Sequence, residues 1–370
     1  MTTPDSRATV AVAQPKSPKG EIPFGGSPPA PRALPELSIG PVFIGFPVVQ
    51  AALSGYSDGP MRIVARRLGA SYTVAEVLTD RFVLAMKERE RTRHWLRITE
   101  EEHPVGGQLM GSDPLSFGPA ARKLVEAGFD VIDINFGCPV KTAVAGCRGG
   151  YHLAQPATAL EIVDRVREAV PAQIPVTVKM RRGIDDSAES VDRFFEILDG
   201  AFARGVAAIT VHGRTVEQKY VGPSDWSFLK SVKRHAGQRV ILGSGDLFTA
   251  ADCLAMLNQT GIDGVSVARG AIGNPWIFSQ VQALAAGRVP PEPDVAEQAR
   301  VLRMQRDLSL EASDEIRTLK VMRTFGIKFA PLHPNPVAVR DAFARARQLD
   351  DWNRVLREWY ESDRPYPEGI

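Results

Sequence analysis

Cys138 combines a reactive side chain with a position from which it could act. It lies in the turn Gly137-Cys138-Pro139, directly after the apolar run Val131–Phe136. A thiol at the end of a strand can act as a nucleophile or as a general acid. The alternative is that Cys138 is buried, unreactive and serves only packing. Of the other two cysteines, Cys147 follows on a loop, and Cys253 falls in a segment where we expect it to pack.

Four polar side chains come at the ends of apolar runs. They are Gln108, Asn135, Lys179 and His212. One fixed cation with several hydrogen-bonding groups suits an electron-rich heterocycle whose reduced form is anionic, and a flavin is such a molecule. Any one of these residues alone could be a structural residue whose hydrogen bonds are satisfied inside the fold. Their recurrence at equivalent positions is what favours a binding site.

Two glycine-rich turns offer a phosphate site. The segments Gly243-Ser244-Gly245-Asp246 and Ala268-Arg269-Gly270 come at the ends of the last two apolar runs. Such turns expose backbone N–H groups, Arg269 adds a positive charge, and many α/β barrels bind a phosphate at this place. For either turn alone, a tight turn that needs glycine is the alternative explanation.

The elements that position these residues repeat along the chain. Eight short runs rich in valine and isoleucine alternate with amphipathic stretches at the spacing of a βα unit. The predicted strands are Pro47–Ala51, Tyr72–Val77, Val105–Met110, Val131–Phe136, Val176–Met180, Ala208–His212, Val240–Gly243 and Gly264–Ala268. They predict an α/β fold, a (β/α)8 TIM barrel over residues 41–287, with the polar strand ends at its mouth. No predicted strand precedes an intact Gly-x-Gly-x-x-Gly, which argues against a doubly wound sheet.

Residues 288–370 predict a small C-terminal all-helical domain with a basic surface. After a proline-rich hinge, the predicted helices are Val295–Ser313, Ile316–Gly326, Ala338–Ala346 and Asp351–Trp359. Nine basic residues and three acidic ones occur from position 317 to position 357. A basic helical surface is typical of proteins that contact phosphates, although a solvated helix face is the alternative. The first candidates for such contacts are Arg317, Lys320, Arg323 and Lys328.

Bulk composition excludes several classes of protein. The chain has 370 residues and a formal net charge of +2, and no window approaches the roughly 18 consecutive apolar residues of a membrane-spanning helix. Residues 1–40 are rich in proline and lack the apolar core of a secretory signal, so we expect a disordered tail. Three cysteines form neither a disulfide framework nor a zinc-ligand pattern, which favours a reducing, cytoplasmic location and no metal. We expect a monomer.

Four motifs carry a resemblance to a known family. They are Asn135-Phe136-Gly137-Cys138-Pro139, Val178-Lys179-Met180-Arg181, His212-Gly213-Arg214-Thr215 and Arg269-Gly270-Ala271-Ile272-Gly273-Asn274-Pro275-Trp276, in that order. With them, the chain resembles the tRNA-dihydrouridine synthase family of flavoenzymes over about residues 45–285. The resemblance implies a flavin-binding barrel, a helical domain that helps to hold tRNA, and reduction of uridine to 5,6-dihydrouridine with FMN and NADPH.

The resemblance also implies roles for individual residues. Cys138 would protonate carbon 5 of uracil after hydride reaches carbon 6. Contacts with FMN are implied for Ala51, Gln108, Asn135, Lys179, His212, Ser244, Gly245, Asp246, Ala268 and Arg269. Contacts with the substrate are implied for Arg181, Arg214, Arg317, Lys320, Arg323 and Lys328. The base must leave the RNA stack to lie on the flavin, and the helical domain could hold phosphates meanwhile.

Three segments depart from the usual pattern of the family. The first strand loop usually reads Ala-Pro-Met but here reads Ala51-Ala52-Leu53, Ser244 replaces an asparagine, and Ala268 replaces a glycine. These changes leave two alternatives open: a related FMN oxidoreductase that acts on a free pyrimidine, and an RNA-binding protein with a degenerate flavin site. The retained Cys138 and Lys179 favour an active enzyme.

Overall fold

A closed barrel of eight parallel strands forms the centre of the computed structural model, which describes residues 33–86 and 94–361. The strands are β1 (Leu37–Ile39), β2 (Val42–Gly45), β3 (Val48–Gln50), β4 (Thr73–Val74), β5 (Leu78–Thr79), β6 (Val105–Met110), β7 (Val131–Phe136), β8 (Val176–Arg181), β9 (Ala208–His212), β10 (Val240–Ser244) and β11 (Gly264–Val267). The ring runs β4-β3-β11-β10-β9-β8-β7-β6, and a pairing of β4 with β6 closes it. The predicted (β/α)8 TIM barrel is therefore confirmed.

Alternation along the strands decides which side chains enter the barrel. On β7, Ile132 and Ile134 pack in the large core cluster, whereas Val131 joins a smaller cluster inside the barrel. Asp133 shares the inner face with Val131, because successive strand residues point to opposite faces. The interior thus changes from apolar at the start of β7 to polar near its carboxyl end, where Asn135 continues the inner face.

Helices surround the barrel and follow its strands. They are α1 (Gly59–Arg67), α2 (Asp80–Ala85), α3 (Pro114–Glu126), α4 (Lys141–Ala145), α5 (Pro156–Ala169), α6 (Ala188–Ala203), α7 (Trp226–Ala236), α8 (Ala250–Thr260) and α9 (Ile277–Ala285). Several helices begin at a capping side chain. Asp58, Ser187 and Asp225 each accept a backbone N–H in the first turn of the helix that follows. Each cap satisfies a donor that has no partner within the helix. No helix in the described part of the chain combines the length and apolarity needed to cross a membrane.

A β-hairpin closes the amino-terminal end of the barrel. β1 pairs antiparallel with β2, and Leu37 and Ile39 are buried in the interior cluster beside Val49. The prediction of a disordered tail over residues 1–40 is therefore wrong for its last residues. Leu37 and Ile39 pack there together with Ile44 of β2, and the proline-rich composition of the segment hides these apolar positions. Residues 1–32 of the predicted tail lie outside the described residues.

The second predicted strand, Tyr72–Val77, is shorter than expected. The structure has β4 over Thr73–Val74 and then the separate short strand β5. The chain leaves the barrel ladder at Glu76, whose N–H donates to the Ser57 carbonyl in the loop after β3 at 3.2 Å. A hydrogen bond to a loop thus replaces one to a neighbouring strand and ends β4 early.

Four helices follow the barrel, as the sequence predicts. They are α10 (Val295–Ala312), α11 (Glu315–Phe329), α12 (Pro336–Arg345) and α13 (Leu349–Trp359). Aromatic contacts join α11 to the barrel: Phe325 meets Tyr56 edge-on with ring centres 6.0 Å apart, and Phe329 meets Trp276 at 5.6 Å. At Gly273 the backbone comes so close that an added Cβ would lie 2.2 Å from the carbonyl oxygen of a residue in α11, Lys328.

Candidate active site

Cys138 lies in the loop after β7, in a turn that several hydrogen bonds hold. Asn135 Oδ1 accepts the backbone N–H groups of Gly137 at 2.9 Å and Cys138 at 3.1 Å. Arg181 Nε donates to the Gly137 carbonyl at 3.0 Å, and the Cys138 carbonyl accepts the Gly150 N–H at 3.1 Å. Cys138 is partly exposed and unpaired with another cysteine. A thiol in a fixed turn at the mouth of the barrel has the placement that a general acid needs.

A chain of hydrogen bonds crosses β6, β7 and β8 near this turn. Asp133 accepts from Thr177 Oγ1 and from Gln108 Nε2, both at 2.6 Å. Asn135 Nδ2 donates to Gln108 Oε1 at 2.7 Å. Burial raises the pKa of Asp133, while the hydrogen bonds from Thr177 and Gln108 lower it. The sequence-predicted residues Gln108 and Asn135 are thus brought into contact, as parts of a network with two further members.

Lys179 and His212 are the titratable residues inside the mouth. Burial, and secondly the charge of Arg181, lower the pKa of Lys179 to about 8. Burial and nearby cations, Lys179 first among them, hold the pKa of His212 well below its usual value, so the imidazole is neutral. His212 Nδ1 accepts the backbone N–H of Arg214 at 3.2 Å, which leaves the ring proton on Nε2. His212 therefore offers an N–H donor.

A small cavity opens where β10 and β11 end. Its lining comprises His212, Ser244, Gly245, Asp246, Leu247, Phe248, Ala268, Arg269 and Gly270. Gly245 has φ +112°, and a Cβ there would lie 2.4 Å from Ser224 Oγ, so the turn requires glycine. The Arg269 guanidinium stacks on Tyr220 at 4.9 Å and on Phe248 at 5.4 Å from the ring centres. The predicted phosphate-loop residues are thus together around one cavity.

Arg214 and Asp246 bind each other within this region. Arg214 Nη2 donates to the Asp246 carboxylate at 2.7 Å and to the Gly222 carbonyl at 2.5 Å. Ser224 N–H donates to the same carboxylate at 2.7 Å. The sequence predicts a substrate contact for Arg214, but its side chain is only 2% exposed. The buried guanidinium thus holds the loops of Asp246 and Gly222 together, and a substrate contact by Arg214 stays a prediction.

Arg181 connects two loops of the mouth. Besides its bond to the Gly137 carbonyl, its Nη1 donates to the carbonyls of Thr215 and Lys219, both at 2.7 Å. Its guanidinium carbon lies 5.5 Å from the ring centre of Tyr220. The guanidinium thus already has protein acceptors, and a substrate contact by Arg181 stays a prediction.

The departures from the family pattern lie close to these cavities. Ala51 and Ala52 line a small cavity in the barrel interior, together with Gln108, Asp133 and Lys179. Ser244 Oγ donates to the Ser266 carbonyl of β11 at 3.1 Å, so its hydroxyl is turned towards the neighbouring strand. Ala268 lines the cavity at the ends of β10 and β11. Ala52, Ser244 and Ala268 are small, and none of them carries a charge into a cavity.

The predicted basic residues of α11 divide into two environments. Lys320 and Arg323 are exposed and Lys328 is half-buried, and none of the three forms an ion pair within residues 33–86 and 94–361. Arg317 differs, because it stacks on Trp95 at 5.4 Å from the ring centre. It also lines a cavity between α1 and the helical domain. Only the exposed pair is free to meet a polyanion directly.

Asp133 and Thr177 are site residues that the sequence motifs do not indicate. Neither lies at a strand end, and each falls within an apolar run. The period of two along a strand could have found them, because Asp133 precedes Asn135 and Thr177 precedes Lys179 by two positions. Tyr220 is a third such residue. It contacts Arg181 and Arg269, which lie in other loops, and no local sequence pattern indicates contacts between loops.

The sequence of the chain matches one protein family and individual members of it. The family model for dihydrouridine synthase (Dus) matches residues 49–358. A probable tRNA-dihydrouridine synthase of Mycobacterium tuberculosis is 32% identical over 343 residues, which cover 90% of this chain and 87% of the relative. One of Rickettsia conorii is 34% identical over 267 residues, 72% of this chain and 78% of the relative.

Solved structures show the same fold at low sequence identity. Morphinone reductase in complex with tetrahydroNAD superposes with a TM-score of 0.51 at 14% identity, over 71% of this chain and 93% of that one. Histamine dehydrogenase from Rhizobium sp. 4-9 superposes with a TM-score of 0.53 at 14% identity, over 73% of this chain and 50% of that one. These similarities show the barrel architecture alone.

Proposed function

Because the chain belongs to the dihydrouridine synthase family, we propose that this oxidoreductase reduces a uridine of tRNA to 5,6-dihydrouridine, with FMN as cofactor and NADPH as reductant. When bound, FMN would supply the hydride that reaches carbon 6 of the uracil. The chain itself must hold the cofactor phosphate and ring, keep the RNA in place, and deliver one proton.

The cavity where β10 and β11 end carries the cofactor assignment, because basic side chains gather around His212 in its lining. Lys179, Arg181, Arg214 and Arg269 all lower the pKa of His212, so they converge on one region. Arg214 Nη1 is buried and has no hydrogen-bond partner within the described residues. A concentration of cations beside a glycine-rich turn suits a phosphate. Gly245 and Arg269 would hold the FMN phosphate there.

The donors in the barrel mouth support a place for the flavin ring. Lys179 carries an ammonium group, and His212 carries a proton on Nε2. Gln108 and Asn135 each use one amide hydrogen internally, which leaves each of them a second. A flavin ring carries carbonyl and nitrogen acceptors along its pyrimidine edge, so this set of donors complements it.

We assign the proton that reaches carbon 5 of uracil to Cys138. Hydride arrival at carbon 6 leaves an enolate, whose carbon 5 takes the hydrogen of the Cys138 Sγ–H bond as its electron pair forms a C–H bond. The cysteine is left as a thiolate, which solvent reprotonates. General acid catalysis of this kind typically contributes about 100- to 10,000-fold to a rate.

The exposed cations of α11 would hold the RNA while the base leaves the stack. Lys320 and Arg323 have no ion-pair partners in the described chain, so their charge is available to phosphates. The contacts of Phe325 and Phe329 with the barrel fix the position of α11 relative to the site. Base extrusion costs a few kcal/mol, and backbone contacts of this type can offset it.

Reconstitution and a substrate comparison test the proposal. The purified protein is stripped of flavin, titrated with FMN, and assayed with NADPH on unmodified tRNA and on free uridine. We expect FMN to bind and dihydrouridine to form in tRNA alone. Failure to bind FMN would contradict the cofactor assignment and favour a degenerate RNA-binding protein. Activity on free uridine without activity on tRNA would instead indicate a pyrimidine reductase.

A further inference from the structure

The hydrogen-bond chain near the Cys138 turn has a direction, and this direction can be read from its two ends. At one end, Asp133 accepts from Thr177 and Gln108. At the other, Asn135 Oδ1 accepts two backbone N–H groups of the turn. A carboxylate only accepts and a backbone N–H only donates, so both ends are fixed chemically.

The two amides between these ends have a single consistent orientation. Gln108 must present Nε2 to Asp133, which leaves Oε1 for Asn135. Asn135 must then present Nδ2 to Gln108, which leaves Oδ1 for the turn. Reversing either amide would set N–H against N–H or oxygen against oxygen in a buried region, which is costly. The observed distances of 2.6 Å and 2.7 Å agree with this order.

Strand register places this series of hydrogen bonds across β6, β7 and β8. Asp133 on β7 lies opposite Gln108 on β6 and opposite Thr177 on β8. Asp133 and Gln108 are almost completely buried, 5% and 2% exposed. Loss of the Asp133 acceptor therefore frees the Gln108 amide to turn, and the Asn135 amide bonded to Gln108 is freed with it.

We propose that Asp133 is a positioning residue: its carboxylate sets the orientation of the Gln108 and Asn135 amides and, through Asn135, the placement of the Cys138 turn. The same order keeps N–H donors of Gln108 and Asn135 available in the mouth of the barrel. This inference rests on the proposed function, because the thiol that it positions is the proposed proton donor.

Variants at Asp133 and Thr177 test the proposal. Asp133→Asn keeps an acceptor for Gln108, and its new amide can donate to Thr177, because a hydroxyl also accepts. We expect D133N to lose less than about fivefold in kcat, and Asp133→Ala to lose at least about 30-fold, because misplaced catalytic groups are costly. KM for tRNA should stay within about twofold in both variants, whereas D133A, which also releases the Gln108 and Asn135 donors, should bind FMN more weakly than D133N, so kcat is compared at saturating FMN.

A second pair of variants keeps the test valid if D133A does not fold. Thr177→Val alone leaves the carboxylate bonded to Gln108 and should cost less than about threefold in kcat, whereas D133N/T177V deprives the new amide of its acceptor and should cost at least about tenfold more than D133N. Equal kcat in all variants beside an active wild-type enzyme would overturn the positioning role. D133N as poor as D133A would show that the charge matters instead. A wild-type enzyme inactive on tRNA would instead reject the proposed function.

Discussion

The basic side chains of the barrel mouth and those of the helical domain differ in burial and in pairing. In the mouth, Arg181 and Arg214 are buried. The Arg181 guanidinium donates to backbone carbonyls of neighbouring loops, and the Arg214 guanidinium donates to a carboxylate. On α11, Lys320 and Arg323 are exposed and form no ion pair in the described part of the chain. The first arrangement fixes geometry, and the second leaves charge free for a polyanion.

This difference predicts different kinetic consequences. Changes in the mouth should alter kcat, because there the positions of individual atoms matter. Changes on α11 should alter the affinity for RNA and its salt dependence, because phosphate contacts act through charge. The contact between the two regions should affect both. The predictions below run from the largest expected effect to the smallest.

Removing the thiol should have the largest effect. Cys138→Ala is expected to lose at least about 100-fold in tRNA reduction, because the general acid is gone. FMN content and NADPH oxidation without tRNA should be unchanged, and Cys147→Ser, at an exposed cysteine on a nearby loop, should be near wild type. Single-turnover rates of dihydrouridine formation measure the effect. Equal rates in C138A and wild type would refute the acid role.

Reversing charge on α11 should weaken tRNA binding without changing the chemistry. K320E/R323E is expected to weaken binding by about 10- to 100-fold at low salt and to reduce the salt slope, since about two phosphate contacts are lost. The matched control is K230E/R234E, which makes the same charge change at exposed residues of α7. Filter binding across a salt series measures both. An equal loss in the two double variants would reject a specific RNA surface on α11.

Crowding the contact between the two regions should give an intermediate effect. Gly273→Ala puts a Cβ 2.2 Å from the Lys328 carbonyl, so α11 must shift. We expect a loss of about 1–3 kcal/mol in stability and a several-fold loss of tRNA reduction, with FMN content unchanged. Gly59→Ala is the control, because the nearest atom to its added Cβ is 3.8 Å away. Thermal unfolding and kcat/KM are measured, and G273A with wild-type values for both would contradict the close contact.

Glu76, between β4 and β5, should give the smallest effect. Burial, and secondly the charge of Asp58, raise the pKa of Glu76 to about 7. A raised pKa means that protonated Glu76 favours the folded state, so its contribution is complete below about pH 4.5 and is lost as pH rises through about 7. Glu76→Gln should remove up to about 1–3 kcal/mol of this pH dependence. Urea unfolding at pH 5 and pH 8 measures it, and identical pH slopes in E76Q and wild type would contradict the assignment.

The sequence predicts the barrel and most of its mouth because the relevant signals are local. Strand-end residues such as Lys179 and His212 can be read from short apolar runs, and parallel strands bring their ends together. The pairing of Arg214 with Asp246 could not be read, since the two residues are far apart in sequence and lie in separate loops. The buried Leu37 in the hairpin was missed because surrounding prolines dominate the composition.

The most direct test is a nucleotide-resolution map of dihydrouridine in tRNA. Cells that lack this protein, and whose other synthases of the family are deleted, receive either the wild-type chain or the Cys138→Ala chain. We predict that the wild-type chain restores dihydrouridine at one or more defined tRNA positions and that C138A restores none. A map that stays empty with the wild-type chain, or that C138A fills equally well, would contradict the account.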